Sequence, residues 1–415
     1  MRKKIIVVGP ALSQSGYGEH TRFLLRSLKS REDVFDIYLH NVNWGKTNWL
    51  FKDDEERRWF DFLLQKTIFY TQQKGTFDIS AQVTIPNEWK KVAPINIGVT
   101  AGIETTKVSP QWIEKSWGVD KIITISEHSK KVYENTAYEA QKPDSSESFV
   151  AKCTTPIDIV HYPVKKIDPV DIKIQLEHDF NFLTVAQWGP RKNLENTIKW
   201  FIDEYADKEI GLIVKTNFAK NCLLDKRLTF NRLRSLIGDN AERKCSIYLL
   251  HGYMSDEEMT ALYTHPQVKC LLSATHGEGF GLPLFEAAYN GLPIIAPSWS
   301  GQVDFLYKPT TDKKGKVKNK AMFSKVDYNL AHIPPEVVWD GVLQADSMWC
   351  MPRETSFKLK MKDMVSNWET YNKRAKDLQE HVLTAFNEEK QYATFVSSIL
   401  EMVEAPPDEE LIKFE

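Results

Sequence analysis

The chain lacks long apolar runs, clustered cysteines and an excess of either charge, and each absence closes off a class of protein. No stretch approaches the ~20 apolar residues that a membrane-spanning helix needs. Met1-Arg-Lys-Lys runs straight into Ile5-Ile-Val-Val, which reads as a short strand and not as the apolar core of a secretion signal. The five cysteines (Cys153, Cys222, Cys245, Cys270, Cys350) form no close pair and no metal-type spacing. Such an odd, scattered set points to reduced thiols in the cytoplasm. The net charge of -2 supplies no global basic field for nucleic acid, although a local groove would be enough. No two aspartates lie two positions apart, so the D-x-D metal pattern is missing. There is no internal repeat and no low-complexity tract.

What is present fits a globular protein. At 415 residues the chain exceeds one typical core and predicts two domains. Its 12 tryptophans are many; core packing explains most of them, and stacking on sugar rings or bases is a second use.

The most informative stretch is Ser273-Ala-Thr-His-Gly-Glu-Gly-Phe-Gly-Leu-Pro-Leu-Phe-Glu286. The apolar run Val268 to Leu272 leads into it as a buried strand. Pro283 suits a first helical turn, where its missing N–H costs nothing. Leu284 to Tyr289 then reads as helix, Gly291 as its stop and Leu292 to Ala296 as the next strand. A glycine turn between strand and helix aims backbone N–H groups, at a positive helix end, toward an anion. Glu278 lies in that turn among Gly277, Gly279 and Gly281, and Glu286 about one helical turn inside. Two carboxylates beside a phosphate-binding turn imply a ligand with both phosphate and hydroxyl groups, such as a nucleotide sugar. A lone pair of glutamates at this spacing would read better as incidental surface residues on a core turn; the glycines and the proline shift the reading.

The rest of the chain alternates strands and helices, as a doubly wound α/β protein does. Lys4 to Val8 is a strand, followed by the loop Gly9-Pro-Ala-Leu-Ser-Gln-Ser-Gly-Tyr-Gly18 and a helix through Leu28. Phe35–His40, Phe77–Val83, Ile95–Thr100, Lys121–Ile125 and Ile157–His161 read as further strands, and Asp53–Lys66 as a charged helix. Thr136 to Thr155, with Pro143-Asp-Ser-Ser-Glu-Ser, reads as an exposed loop, and Pro163 to Glu177 as the linker. A second domain opens at Asn181-Phe-Leu-Thr-Val-Ala-Gln-Trp-Gly-Pro-Arg-Lys-Asn193 and continues with strands at Ile210–Thr216 and Ser246–Leu250. Ser255 and Glu258 have capping-box spacing. Arg191 and Lys192 precede a helix, where cations are unfavourable, so an anion is expected beside them. Lys308 to Lys320 carries six lysines and reads as a solvated loop, or as a contact for acceptor phosphates. Phe357 to Val403 is helical by pattern, and Glu404 to Glu415 is an acidic tail that frays.

The stretch Glu-Gly-Phe-Gly-Leu-Pro-Leu-Phe-Glu286 resembles the signature of retaining glycosyltransferases of the GT-B fold, especially family four, and looks most like those encoded by tailed bacteriophages. The resemblance implies two Rossmann-like domains facing a cleft: an acceptor-side domain over 1–168, a nucleotide-sugar domain over 169–385, and a last helix with tail over 386–415 that crosses back. It implies a metal-independent hexosyl- or pentosyltransferase, needing no cofactor beyond its nucleotide-diphosphate sugar. Lys192, with Arg191, would neutralise the donor diphosphate; Gln187 stands where the family often has arginine. Backbone around Gly279, Phe280 and Gly281 would bind the same group. Glu286 would hold the ribose, and Glu278 the donor sugar. Glu104, in Thr100-Ala-Gly-Ile-Glu-Thr-Thr, matches the acceptor-side acidic position or else caps the helix starting near Pro110. Gly16 and Gly18 would admit donor phosphate or acceptor. Tyr253 would meet the base, and Lys215 could face the cleft or be solvated. His128 reads as a solvated helix cap before it reads as a base. The acceptor would be a hydroxymethylated pyrimidine in phage DNA, flipped into the cleft, or a surface glycan. A sugar-nucleotide epimerase or a non-catalytic binding scaffold on the same fold are the competing readings. The expected setting is the cytoplasm, that of the host if the enzyme is phage-encoded.

Overall fold

The computed structural model describes residues 2–141, 147–238, 242–311 and 315–404. The first lobe is built from β1 (Lys3–Gly9), α1 (Gly16–Lys29), β2 (Phe35–Asn41), α2 (Glu55–Gln72), β3 (Ile79–Val83), β4 (Ile95–Val99), α3 (Pro110–Ser116), β5 (Lys121–Thr124) and α4 (Glu127–Asn135). A hairpin of β6 (Ala137–Gln141) and β7 (Ser148–Lys152) then precedes β8 (Ile157–Ile159). The strands form one parallel sheet in the order β2-β1-β3-β4-β5-β8. Ile5, Val7, Ile79, Ala81, Ile97 and Val99 are fully buried in it, as expected where helices cover both faces of a parallel sheet.

The second lobe repeats the plan. It runs β9 (Asn181–Val185), α5 (Leu194–Tyr205), β10 (Gly211–Lys215), α6 (Leu223–Ile237), β11 (Ser246–Leu250), α7 (Asp256–Thr264), β12 (Val268–Leu272), α8 (Leu282–Tyr289), β13 (Ile294–Pro297) and α9 (Val303–Leu306). The hairpin β14 (Tyr307–Thr311) and β15 (Val317–Ala321) follows, then β16 (Ser324–Val326), β17 (Tyr328–His332), β18 (Met348–Pro352), α10 (Glu354–Ser366) and α11 (Trp368–Ala385). Its parallel sheet has the order β11-β10-β9-β12-β13-β16. The strand order reverses between β9 and β12, and a doubly wound sheet binds ligands at the carboxyl ends of such a pair. The loops leaving β9 and β12 are those holding Lys192 and Glu278.

α12 (Glu388–Glu404) returns to the first lobe. Its Phe395 meets Phe23 of α1 edge-on at 5.1 Å. Lys121 donates to Asp158 at 2.8 Å and to Glu401 at 2.7 Å. Between the lobes, residues 163–177 are extended without regular structure, and Val164 N–H donates to Phe386 O at 2.8 Å. An aromatic seam of Tyr162, Phe280, Phe285 and Phe386 joins the two cores.

Three local expectations need correction. The stretch 136–155 is not a loop but the β6–β7 hairpin; its polar tip, 142–146, lies outside the described residues. The lysine-rich stretch is likewise a hairpin, with Lys308 opposite Lys320, and Lys313 and Lys314 lie outside the described residues. In both, alternating side chains let polar residues face water on each strand, which a reading by composition mistakes for loop. The helical pattern after residue 356 is three helices, α10 to α12, broken at Asn367 and Asn387. The tail 405–415 lies outside the described residues. Among those described, no helix is long and apolar enough to cross a membrane.

Candidate functional site

A cleft of about 1240 Å³ opens between the lobes. The loops after β1 and β4 line one wall; those after β9, β10, β11 and β12 line the other. Where the walls meet they touch backbone to backbone. A Cβ on Gly277 would sit 2.3 Å from the carbonyl oxygen of Glu104, and one on Gly279 2.4 Å from that of Ala101. Side chains there would force the lobes apart. Gly281 has φ +94°, a left-handed conformation that suits glycine, and so aims α8 into the cleft. No acceptor among the described residues takes the N–H groups of Gly279, Phe280 or Gly281. The Phe280 ring itself is buried in the aromatic seam.

Glu278 is the hub. Lys192 Nζ donates to both its oxygens, at 2.6 and 2.8 Å. Arg191 Nη1 donates to it at 3.2 Å and to Gly277 O at 2.6 Å. Thr275 Oγ1 adds a bond of 2.9 Å. Arg191 also reaches across the cleft, its Nη2 lying 3.5 Å from Glu104 Oε1. Burial alone would raise the Glu278 pKa; Lys192 and Arg191 outweigh it and hold the carboxyl down at about 2. The anion expected beside the two cations is therefore already in the protein. Two cations and two carboxylates balance, so the cluster carries no net charge.

Glu286 lies on α8, facing the same cleft, and has a single side-chain hydrogen-bond partner among the described residues: Tyr263 Oη donates to it at 2.8 Å. Burial pushes its carboxyl up to about 7, against the Tyr263 bond and Lys165, with Asp256 and Glu19 adding to the rise. Lys215 Nζ donates to Gly252 O and lines the cleft. Tyr253 is 44% exposed there and meets Phe51 of the first lobe edge-on at 4.8 Å. Gln187 lines the same wall and donates to Phe218 O at 2.6 Å.

Two positions need correction, and at a third, Glu104, one of two alternative readings falls. Gly18 does not face a ligand: a Cβ there would lie 2.0 Å from Ser13 O, so this glycine lets α1 pack on its own loop, while Gly16 is open to the cleft. Glu104 caps nothing, because Ser109 accepts from Trp112 N–H at the start of α3. His128 is no solvated cap either. Ser126 caps α4, and the His128 ring is packed edge-on to Trp299 at 4.9 Å, with burial lowering its pKa to about 4. Other residues in or behind the cleft wall were missed. Tyr263 is one, since nothing in sequence ties it to a glutamate on another helix. The Tyr17–Trp44 pair is a second, with ring centroids 4.4 Å apart on the first-lobe wall. Tyr17 between two glycines of the first loop was the available signal. Among the described residues, no group of three or more His, Cys, Asp or Glu side chains could hold a metal ion.

Comparison with known proteins bears on the sequence of the second lobe and on the fold. Residues 171–308, which contain Arg191, Lys192, Glu278 and Glu286, match the family model Glycosyl transferases group 1. The UDP-N-acetylglucosamine–peptide N-acetylglucosaminyltransferase GtfA subunit of Streptococcus parasanguinis is 30% identical over 170 residues. These make up 39% of this chain and 29% of that protein, so the chain spans under a third of the curated relative it matches. Sucrose-phosphate synthase from Thermosynechococcus elongatus superimposes with a TM-score of 0.60 at 11% identity, covering 97% of this chain and 99% of that one. Anabaena HepE, in complex with UDP and glucose, gives 0.58 at 10% identity, covering 96% and 100%. At such identities the likeness is one of fold. The molecule has the GT-B fold, and its second lobe carries the sequence pattern of group 1 glycosyltransferases.

Proposed function

We propose that the chain is a retaining, metal-independent glycosyltransferase that moves a hexose or pentose from a nucleotide-diphosphate sugar to an acceptor hydroxyl. One observation carries the reading: Lys192, Arg191, Glu278, Glu286 and the free N–H groups at the start of α8 converge on one wall of a cleft that the other lobe closes. As the anomeric C–O bond breaks, negative charge grows on the leaving diphosphate. Lys192, Arg191 and the N–H groups of Gly279, Phe280 and Gly281 stabilise it there. Glu286 accepts from the ribose hydroxyls. Glu278 holds the two cations in place and accepts from hydroxyls of the sugar. The acceptor oxygen attacks the anomeric carbon from the face the diphosphate leaves, and a diphosphate oxygen takes its proton. Glu104, across the cleft, lies on the acceptor side. Lys215 and Tyr253 flank the base.

The cleft volume of about 1240 Å³ exceeds the ~300–1,000 Å³ of a typical small-ligand pocket, which supports a second substrate beside the donor. The Tyr17–Trp44 pair supports an acceptor with a ring to stack, as an extruded hydroxymethylated pyrimidine or a glycan unit has. The test is a screen of nucleotide sugars for donor hydrolysis, repeated with hydroxymethylated DNA and with oligosaccharides. Transfer with retained anomeric configuration, persisting in EDTA, is expected. Isomerised donor without transfer would make the protein an epimerase, and activity lost in EDTA and restored by magnesium would reject metal independence.

A further inference from the structure

We infer that the outward face of α6 is a docking surface for an anionic lipid bilayer. Helices on a doubly wound sheet normally turn their apolar residues inward. α6 largely does the reverse. Leu223, Leu224, Leu228 and Phe230 are 64%, 68%, 54% and 52% exposed. The side toward the sheet buries Asp225, Thr229 and Leu233, with Leu236 and Ile237 partly buried against the core. At 3.6 residues per turn, the four apolar side chains share their face with Arg227 and Arg234, and Lys226 flanks it. None of those three cations forms an ion pair among the described residues; the helix's other arginine, Arg232, is held by Glu195 at 2.6 Å. The one acid on α6, Asp225, points inward, where it accepts from the N–H groups of Phe218, Ala219 and Lys220. The exposed face is thus apolar and cationic, with no acid.

The N-terminal end of α6 reaches the first lobe beside the cleft. Asn221, just before α6, donates its N–H to Asn48 Oδ1 of the first lobe at 3.2 Å. Trp49, next in sequence to Asn48, is 53% exposed, and Phe51 is 68% exposed. Tryptophan is favoured at the bilayer interface.

Charge complementarity selects the occupant. Leucine and phenylalanine side chains enter the acyl boundary while lysine and arginine extend to anionic headgroups. A second copy of the chain, docked about a two-fold axis, would set the same three cations against each other with no acid to meet them. Duplex nucleic acid would use the cations and leave the leucines uncovered. Docking here would hold the cleft mouth near the lipid surface, which favours the glycan arm of the acceptor screen. The inference itself does not depend on the reaction.

The test is sedimentation of the full chain with vesicles of phosphatidylglycerol and phosphatidylcholine in equal parts, and with phosphatidylcholine alone. Binding is expected to the mixed vesicles only. It should weaken with salt and fall by about tenfold or more in R227E/R234E and in L224S/L228S. Both variants lie off the cleft, so their donor hydrolysis and melting temperature should match the parent. The charge variant alters exposed side chains only and keeps the test open if the leucine variant fails to fold. Absence of binding to mixed vesicles, or binding unchanged in both variants, overturns the inference. So does a dimer that L224S/L228S dissolves, or duplex-DNA binding that only R227E/R234E abolishes.

Discussion

Seven residues separate Glu278 from Glu286, yet the turn that carries the first and the helix that carries the second give their carboxylates opposite surroundings. Glu278 is 6% exposed and meets two cations and a hydroxyl. Glu286 is also largely out of solvent but has one tyrosine hydroxyl, with Asp256 and Glu19 near enough to raise its pKa. One carboxyl is held at about 2, the other raised to about 7. Burial is common to both, so it is the partners that decide. The first is a fixed charge that organises other charges. The second is left under-satisfied, with acceptor capacity that ligand hydroxyls can fill.

The sharpest way to break this contrast is to remove the fixed charge. Glu278→Ala leaves the half-buried Lys192 and Arg191 without their shared partner. A loss of about 2–3 kcal/mol of stability is expected, below the ~3–5 kcal/mol of a fully buried pair broken from one side because both cations can reach water. Chemical denaturation reads it. Glu286→Ala removes no partner from a cation and, measured near pH 4.5 where the carboxyl is still protonated, should stay within about 1 kcal/mol of the parent. Equal losses in the two variants would erase the distinction.

Kinetics should divide the same way. Lys192→Ala is expected to lower kcat by about 10²–10³-fold, the scale for losing one donor to a developing negative charge. Donor affinity should change less. Glu286→Ala should instead weaken donor binding by about 10–100-fold, since hydrogen bonds to a charged group contribute about 1.5–3 kcal/mol each, with kcat little changed. Calorimetry and steady-state rates together give the split. Unchanged kcat in the lysine variant would contradict its role at the leaving group.

How much of this was readable in sequence follows from distance along the chain. The β12–α8 unit was, because Pro283, the glycines and the apolar run all act within a few residues of one another. So were most strands, whose apolar runs are continuous where both faces are buried. The partners of those residues were not. Lys192 and Glu278 are 86 positions apart, and only the closing of the sheet between β9 and β12 joins them. Hence an anion is legible beside the two cations, but not that Glu278 is one. Gly18 shows the opposite error. A glycine in a loop suggests ligand approach, but the atom it makes room for is a carbonyl of the same loop. The β6–β7 and β14–β15 hairpins were read as loops because exposed strands carry no apolar signature.

The raised carboxyl predicts a pH dependence. In the folded protein Glu286 keeps its proton up to about 7, whereas an unfolded glutamate loses it near 4.5. Between these values folding takes up a proton, so stability from this group is present below about 4.5, falls as pH rises and is gone above about 7. The shift corresponds to about 3 kcal/mol. Glu278, with its depressed pKa, acts in the other direction and only at lower pH, losing its contribution as pH falls from 4.5 toward about 2. Melting temperatures of Glu286→Gln should therefore lack the decline between about 4.5 and 7 that the parent shows. Donor affinity should rise in the parent as pH passes through about 7, because only the ionised carboxyl accepts two hydroxyls, and should be flat in the variant.

The smallest expected effect isolates Tyr263. Among the described residues, its hydroxyl is the one group that both touches Glu286 and lowers its pKa. Tyr263→Phe removes that donor and leaves the ring in place. The midpoint of the affinity-versus-pH curve should move upward, by less than about one pH unit, since the bond exchanges one hydroxyl donor for none. Well above the midpoint the carboxyl is ionised in both proteins and donor affinity should be the same. A simple packing defect would behave differently, weakening binding at every pH and leaving the midpoint where it was. A midpoint that falls would mean that burial is not what raises Glu286, and the contrast between the two glutamates would need another cause.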